Sequence, residues 1–184
     1  MLPIDSKREF KLLVKAHEKA EEILHWPDAR FYSVQDTVSL WSPAQQLFHL
    51  SLANLRAGSM IQTLYDDEAA EILREGAPSK FGRAMLMWGK ITRGVALAPP
   101  TTDPPPEISR PEVRAALQRS GKLMEVLSGR ASYLYDLSGR MQHPMLGELN
   151  AIQWLKFARV HSQHHLTIAK EIGEAFLKAE GKSR

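Results

Sequence analysis

The stretch HSQHH, His161 to His165, places three of the chain's seven histidines within five residues. Imidazole is the commonest metal ligand, and two imidazoles one helical turn apart can chelate a single cation. At ~100° per residue, with His161 at zero, Trp154 and Ile172 lie near 20°, Ile168 near −20°, and Ala158 and Phe176 near 60°. The apolar stripe is then centred at roughly 30°, with His161 and His165 inside it and His164 at its edge. The segment therefore reads as an inward-facing i, i+4 pair with a third histidine beside it. A pair of this spacing also occurs as two core histidines bonded to polar neighbours, because a buried imidazole needs a partner for each ring nitrogen.

A third ligand must come from elsewhere. His17 falls on the first helix, His25 at its end, His49 on the second, and His143 in a loop. In WSPAQQLFHLSLANL, Phe48, His49, Leu52 and Leu55 share a stripe that turns His49 inward. Facing helices that each contribute ligands are how bundle proteins build metal sites. His49 is the natural third ligand, although His17 can also be turned inward and periodicity alone leaves the choice open.

The elements that must position these residues are helical. Four helix starts carry a small polar N-cap followed three residues later by Glu or Gln: Ser6 with Glu9, Ser42 with Gln45, Ser109 with Glu112, and Asn150 with Gln153. Pro43 sits at a first helical position, where its missing N–H costs nothing. The spacing predicts a first helix to about Leu24, a shorter one from Lys80 to about Val95, one from Ser109 to about Leu137, and a last one from Asn150. The third of these carries Val113, Leu117, Ser120, Met124, Leu127, Ala131 and Leu134 on one stripe. WPDARFYSVQDTVSLW reads as a loop packed on the bundle, and GRMQHPMLGEL as a break before the last helix. Alternating runs that would mark strands are essentially missing. Five prolines in residues 99–106 forbid helix and favour an extended polyproline-like crossing. A long crossover implies some parallel neighbours rather than simple up-down alternation. The expectation is one all-α domain over residues 1–184.

Composition narrows the function classes. An apolar fraction of 43% with 24% charged residues suits a soluble globular chain. The formal net charge is only +3, and no basic run interleaved with aromatics marks a nucleic-acid surface. The absence of cysteine excludes disulfides, thiolate metal sites and a Cys nucleophile. The N-terminal residues lack the layout of a signal peptide, and no apolar run approaches the ~20 residues of a membrane span. A cytoplasmic protein that binds neither nucleic acid nor membrane is expected.

Two motifs carry a resemblance. WSPAQQLFHL resembles the start of the second helix in the DinB-like (YfiT-like) superfamily: Trp, a capping residue, Gln and Leu, then His-Leu. HPMLGELNAIQWLKFARVHSQHHL resembles the C-terminal half of one branch, with His-Pro, an apolar pair, Gly, Leu, a capping residue, Trp, and His-x-x-His-His-Leu. The resemblance covers about a fifth of the chain. It implies a four-helix bundle with a long crossover, often dimeric, and a divalent metal, zinc or nickel, held by three histidines. Position by position, those ligands are His49, His161 and His165. His164 matches a histidine that is generally not a ligand, and His143 matches a His-Pro of unassigned role. Many members have Gln three residues after the last ligand, where this chain has Ile168, so a hydrogen bond from that Gln to the site's surroundings is lost.

Three neutral imidazoles leave the full +2 charge on the ion, and an open fourth position would lower the pKa of bound water to about 7. The chemistry that follows is metal-dependent hydrolysis, or thiol-dependent transfer, on a small molecule. The alternative is a non-catalytic metal- or ligand-binding bundle. Glu148, Asp136, Tyr65 and Asp66 lie near helix ends as candidate acids or bases, but each reads better as a solvated or capping residue, and no catalytic residue is assigned. Met85, Met87 and Trp88 read as core packing, with pocket lining as the other reading.

Overall fold

The computed structural model describes residues 4–94 and 98–182. The elements run α1 (Ser6–Leu24), α2 (Asp28–Phe31), α3 (Pro43–Asp66), α4 (Lys80–Trp88), α5 (Arg110–Ser128), a 3-10 turn (Ala131–Tyr135), β1 (Met141–His143), β2 (Gly147–Leu149) and α6 (Ala151–Lys182). Four long helices make an all-α core, with α1 and α3 each packed against both α5 and α6.

Buried polar contacts fix how the helices run. On α3 and α6, Gln46 meets His165 and Asn54 meets Ser162, so these two are antiparallel. On α1 and α6, Glu9 meets Arg159, and Gly173 lies under Trp26, so these two are parallel. Gly58 of α3 abuts Leu123 of α5, while Gln45 reaches the carbonyls of Pro105 and Pro106 just ahead of α5, so this pair is parallel too. The long connection between α4 and α5 makes the parallel α3–α5 pairing physically attainable.

Three of the four expected capping boxes form. Ser42 and Ser109 accept from the backbone N–H of Gln45 and Glu112, and those side chains reach back to the cap. Asn150 Oδ1 accepts from Gln153 N at 3.0 Å, and Gln153 Oε1 accepts from Asn150 N at 3.1 Å. The first box does not form. Asp5 caps α1 by accepting from Arg8 N, while Ser6 is fully buried and its hydroxyl donates to Ala131 O. Glu9 is drawn inward to a buried ion pair with Arg159 at 2.6 Å, so tertiary pairing takes the side chain the cap would have used.

Other boundaries also shift. Gly89 in the left-handed region (φ 64°) ends α4 at Trp88, short of the expected Val95, which lies outside the described residues. α5 stops at Ser128, where Ser128 and Gly129 favour termination over continuation, and its stripe continues through the 3-10 turn. The expected loop after α1 contains α2, started by Pro27 and Asp28. The break before α6 is a hairpin of two three-residue strands, too short to show alternation in sequence. The proline-rich crossing is not uniformly extended: Pro99 O accepts from both Thr102 N and Asp103 N, closing a turn at the non-proline residues that keep their N–H groups. On α3 the half-buried Phe48, Leu52 and Leu55 flank a deeper face that includes Gln46, Leu50, Ala53, Ala57 and Ile61, because the helix is sandwiched between α5 and α6. Met85 is core, whereas Met87 and Trp88 are exposed and line no pocket.

Removing one member of the buried ion pair strands the other charge. Glu9→Leu is expected to cost about 3–5 kcal/mol in urea unfolding, and Glu9→Leu with Arg159→Met to recover most of it. A double variant no more stable than the single one contradicts this account.

Candidate metal centre

α3 and α6 run antiparallel with a register set by a buried polar pair. Asn54 Nδ2 donates to Ser162 Oγ at 2.9 Å, and Ser162 Oγ donates back to Asn54 Oδ1 at 3.2 Å. Both residues are buried, so a slip of one turn would leave one amide group and one hydroxyl unsatisfied. That register brings His49, two turns into α3, opposite His161 and His165 on α6. One ring nitrogen from each lies within 4.8 Å of the others, the one such group of potential ligands among the described residues.

The hydrogen bonds on the far sides of the rings determine what the near sides offer. His49 Nδ1 is 2.7 Å from the carbonyl of Thr102, and a carbonyl only accepts, so His49 carries its proton on Nδ1. His165 Nδ1 is 2.6 Å from Gln46 Oε1, which imposes the same tautomer. The Gln46 amide is itself oriented, donating through Nε2 to Ser39 Oγ at 3.0 Å. Both Nε2 atoms are therefore lone pairs directed at the cluster. His49 Nε2 and His161 Nε2 are 3.2 Å apart, close to the roughly 3.3 Å between two nitrogens on a tetrahedral ion with bonds of ~2.05 Å. Such outer-shell oxygens are the usual means of fixing ligating imidazoles. His161 differs: its Nδ1 is buried without a hydrogen-bond partner. Ile168 is buried and apolar and offers it nothing.

Burial, first of all, pushes the imidazoles of His161 and His165 well below the ordinary histidine range, reinforced by repulsion from the neighbouring histidines. His49 is also lowered, chiefly by burial, against an opposing pull from the Thr102 carbonyl. The cluster is thus uncharged near neutral pH, with Nε2 bare on His49 and His165, while no outer partner fixes the proton of His161. Trp41 covers it from one side, its ring 5.0 Å from that of His49.

The other histidines are elsewhere. His17 is satisfied by Leu13 O and by Ser120 Oγ at 3.1 Å, between α1 and α5, which resolves the choice the periodicity left open. His25 bonds Glu21 O at the end of α1. His164 stands edge-on to His165 at the cavity wall, outside the ligand group. His143 lies on the same cavity, with its ring against Phe157 and Trp154.

The cluster opens onto a cavity of about 180 Å³. No Asp or Glu lines it. Glu148 binds Ala77 N, Asp66 binds Gln62, Tyr65 sits under Arg130, and Asp136 is exposed; none of them reaches the cavity. Gln46 is the Gln of the WSPAQQLFHL motif, which gives it no role, and Thr102, 53 residues from His49, carries no sequence signal. Comparison of the chain with protein-family models, with curated proteins and with solved structures gives no match.

Two outcomes follow. Gln46→Leu, which removes the acceptor from His165, is expected to weaken zinc binding about 10–100-fold in a chelator competition, with unchanged affinity contradicting the role. Metal-free protein should lose stability on acidification: an unfolded histidine takes up a proton near pH 6.5, while these buried ones resist until lower pH. Their contribution is fully present above about pH 6.5 and declines below it, as urea unfolding across that range would show. A gain in stability on acidification through that window would contradict it.

Proposed function

We propose that this protein binds one divalent metal ion, zinc or nickel, through His49, His161 and His165, and acts on a small molecule as a metal-dependent hydrolase or thiol-dependent transferase of the DinB-like kind. The observation that carries the reading is the pair of carbonyl oxygens, from Thr102 and Gln46, that hold two imidazoles with their Nε2 lone pairs converging beside His161. Both rings are held from the outside by oxygens that only accept, which turns their Nε2 lone pairs toward the third histidine. Two parallel helix pairs and the long crossover also agree with the bundle that the sequence motifs imply.

A bound divalent ion would supply Lewis-acid polarisation of a substrate heteroatom, at a position that no fourth His, Cys, Asp or Glu among the described residues fills. The chain's own part is orientation and water exclusion. Trp41, Trp154 and Phe157 provide apolar wall around the three imidazoles. The absence of a lining carboxylate favours a second reading, a metal- or ligand-binding bundle without turnover, since no side-chain carboxylate is placed to act as general base.

Protein purified without a histidine tag and reconstituted with cobalt separates these outcomes. About one ion per chain with tetrahedral d–d bands is expected, and His161→Ala should abolish them while His25→Ala does not. Bands that shift on adding azide or a thiol support an open position. Bands that ignore both reduce the account to binding without catalysis, and unchanged loading in His161→Ala overturns the site.

A further inference from the structure

Beyond the three histidines, the cavity lining includes Arg56, His143 and Trp154, which can donate to a negatively charged group. Arg56 lies seven residues after His49 on α3, on the same helix face, and borders the cavity. It makes no ion pair or hydrogen bond among the described residues, and no carboxylate borders the cavity to neutralise it.

His143 lines the same cavity close to Arg56 and is held in the complementary state. Its Nδ1 accepts from the backbone N–H groups of Met145 and Leu146, both at 3.2 Å. An imidazole nitrogen that accepts two amide protons carries none itself, so the ring proton is on Nε2. That nitrogen faces away from the turn and has no protein partner among the described residues. Burial, first, and the nearby Arg56 push this imidazole down to about 4, so it remains a neutral donor near neutral pH. Its plane is fixed by contacts with Phe157 and Trp154 at 4.7 and 5.2 Å between ring centres. Trp154, fully buried in the same wall, has an indole N–H without a partner. The remaining lining includes Phe81, Ile91, Pro99, Met145 and Leu146.

We infer that the cavity takes a small organic carboxylate with an apolar body, its carboxylate held by the Arg56 guanidinium and His143 Nε2–H and its body against the apolar wall. The inference rests on the cavity being the working face of the proposed metal centre, and it names the substrate class. A cavity of about 180 Å³ has room for a compact aromatic or branched acid. Arginine and a neutral imidazole N–H are both matched to a carboxylate's lone pairs, and no Asp or Glu lines the cavity to hold a cationic ligand.

Phenylacetate and its neutral counterpart phenylacetamide test this, titrated calorimetrically into metal-free and into zinc-loaded protein. In the metal-free protein the acid should bind about tenfold or more tighter than the amide. Arg56→Gln, a change at an exposed position that leaves the fold intact, should erase that preference and leave the amide's affinity unchanged. Arg56→Lys should retain part of it, and His143→Gln should reduce it. Equal affinities for acid and amide, or a preference that survives Arg56→Gln, overturn the inference. Because the decisive comparison is made without metal, a preference for the acid in protein that fails to bind zinc upholds this inference while refuting the metal centre. A preference that appears only with zinc bound, and is insensitive to Arg56, assigns the carboxylate to the ion and refutes the inference.

Discussion

Two hydrogen bonds on the outer edges of imidazole rings govern the site. Thr102 O and Gln46 Oε1 can only accept, so each forces a proton onto the Nδ1 it faces and leaves the inner Nε2 bare. In the metal-free protein the bare His49 Nε2 accepts from His161 Nε2–H across 3.2 Å, a proton that a cation between the rings would replace. The scaffold maintains that arrangement through the Asn54–Ser162 pair, which fixes α3 against α6, and the Glu9–Arg159 pair, which fixes α1 against α6.

The long crossing between α4 and α5 has a second role beyond connection. Its prolines prevent helix, and the turn at Pro99 presents the buried Thr102 carbonyl to His49. A segment that reads as a spacer thus supplies one of the two groups that set the chemistry of the site. The crossing also supplies Pro105 O and Pro106 O to Gln45, within the same capping box that starts α3. The position of His49 along α3 and its tautomer are consequently both tied to this segment.

The sequence made the convergence of the histidines legible because it follows from helical angle: His161 and His165 fall on the stripe of Trp154, Ala158 and Ile172, all fully buried. The capping boxes at Ser42, Ser109 and Asn150 were legible because they are local. What could not be read was anything decided across the bundle. Ser6 and Glu9 match a box, yet a partner 150 residues away claims Glu9. His17 and His49 both allow an inward face, and only the position of Ser120 assigns His17 to the other side of the core. The short strands around His143 escape periodicity because three residues hold no more than one and a half alternations. The roles of Thr102, Gln46 and Arg56 depend on cavity geometry, which no spacing rule encodes.

The central claim is that the fold presets two imidazoles as Nδ1–H tautomers so that three Nε2 lone pairs can take one cation. Long-range proton–nitrogen NMR of the histidine rings, recorded near neutral pH before and after one equivalent of zinc, tests it directly. The account predicts pyrrole-like Nδ1 and pyridine-like Nε2 signals for His49 and His165 in the metal-free protein, and displacement of the Nε2 signals of His49, His161 and His165 together on adding zinc. Nε2–H tautomers at His49 and His165, or zinc that leaves these three rings unperturbed, would contradict it.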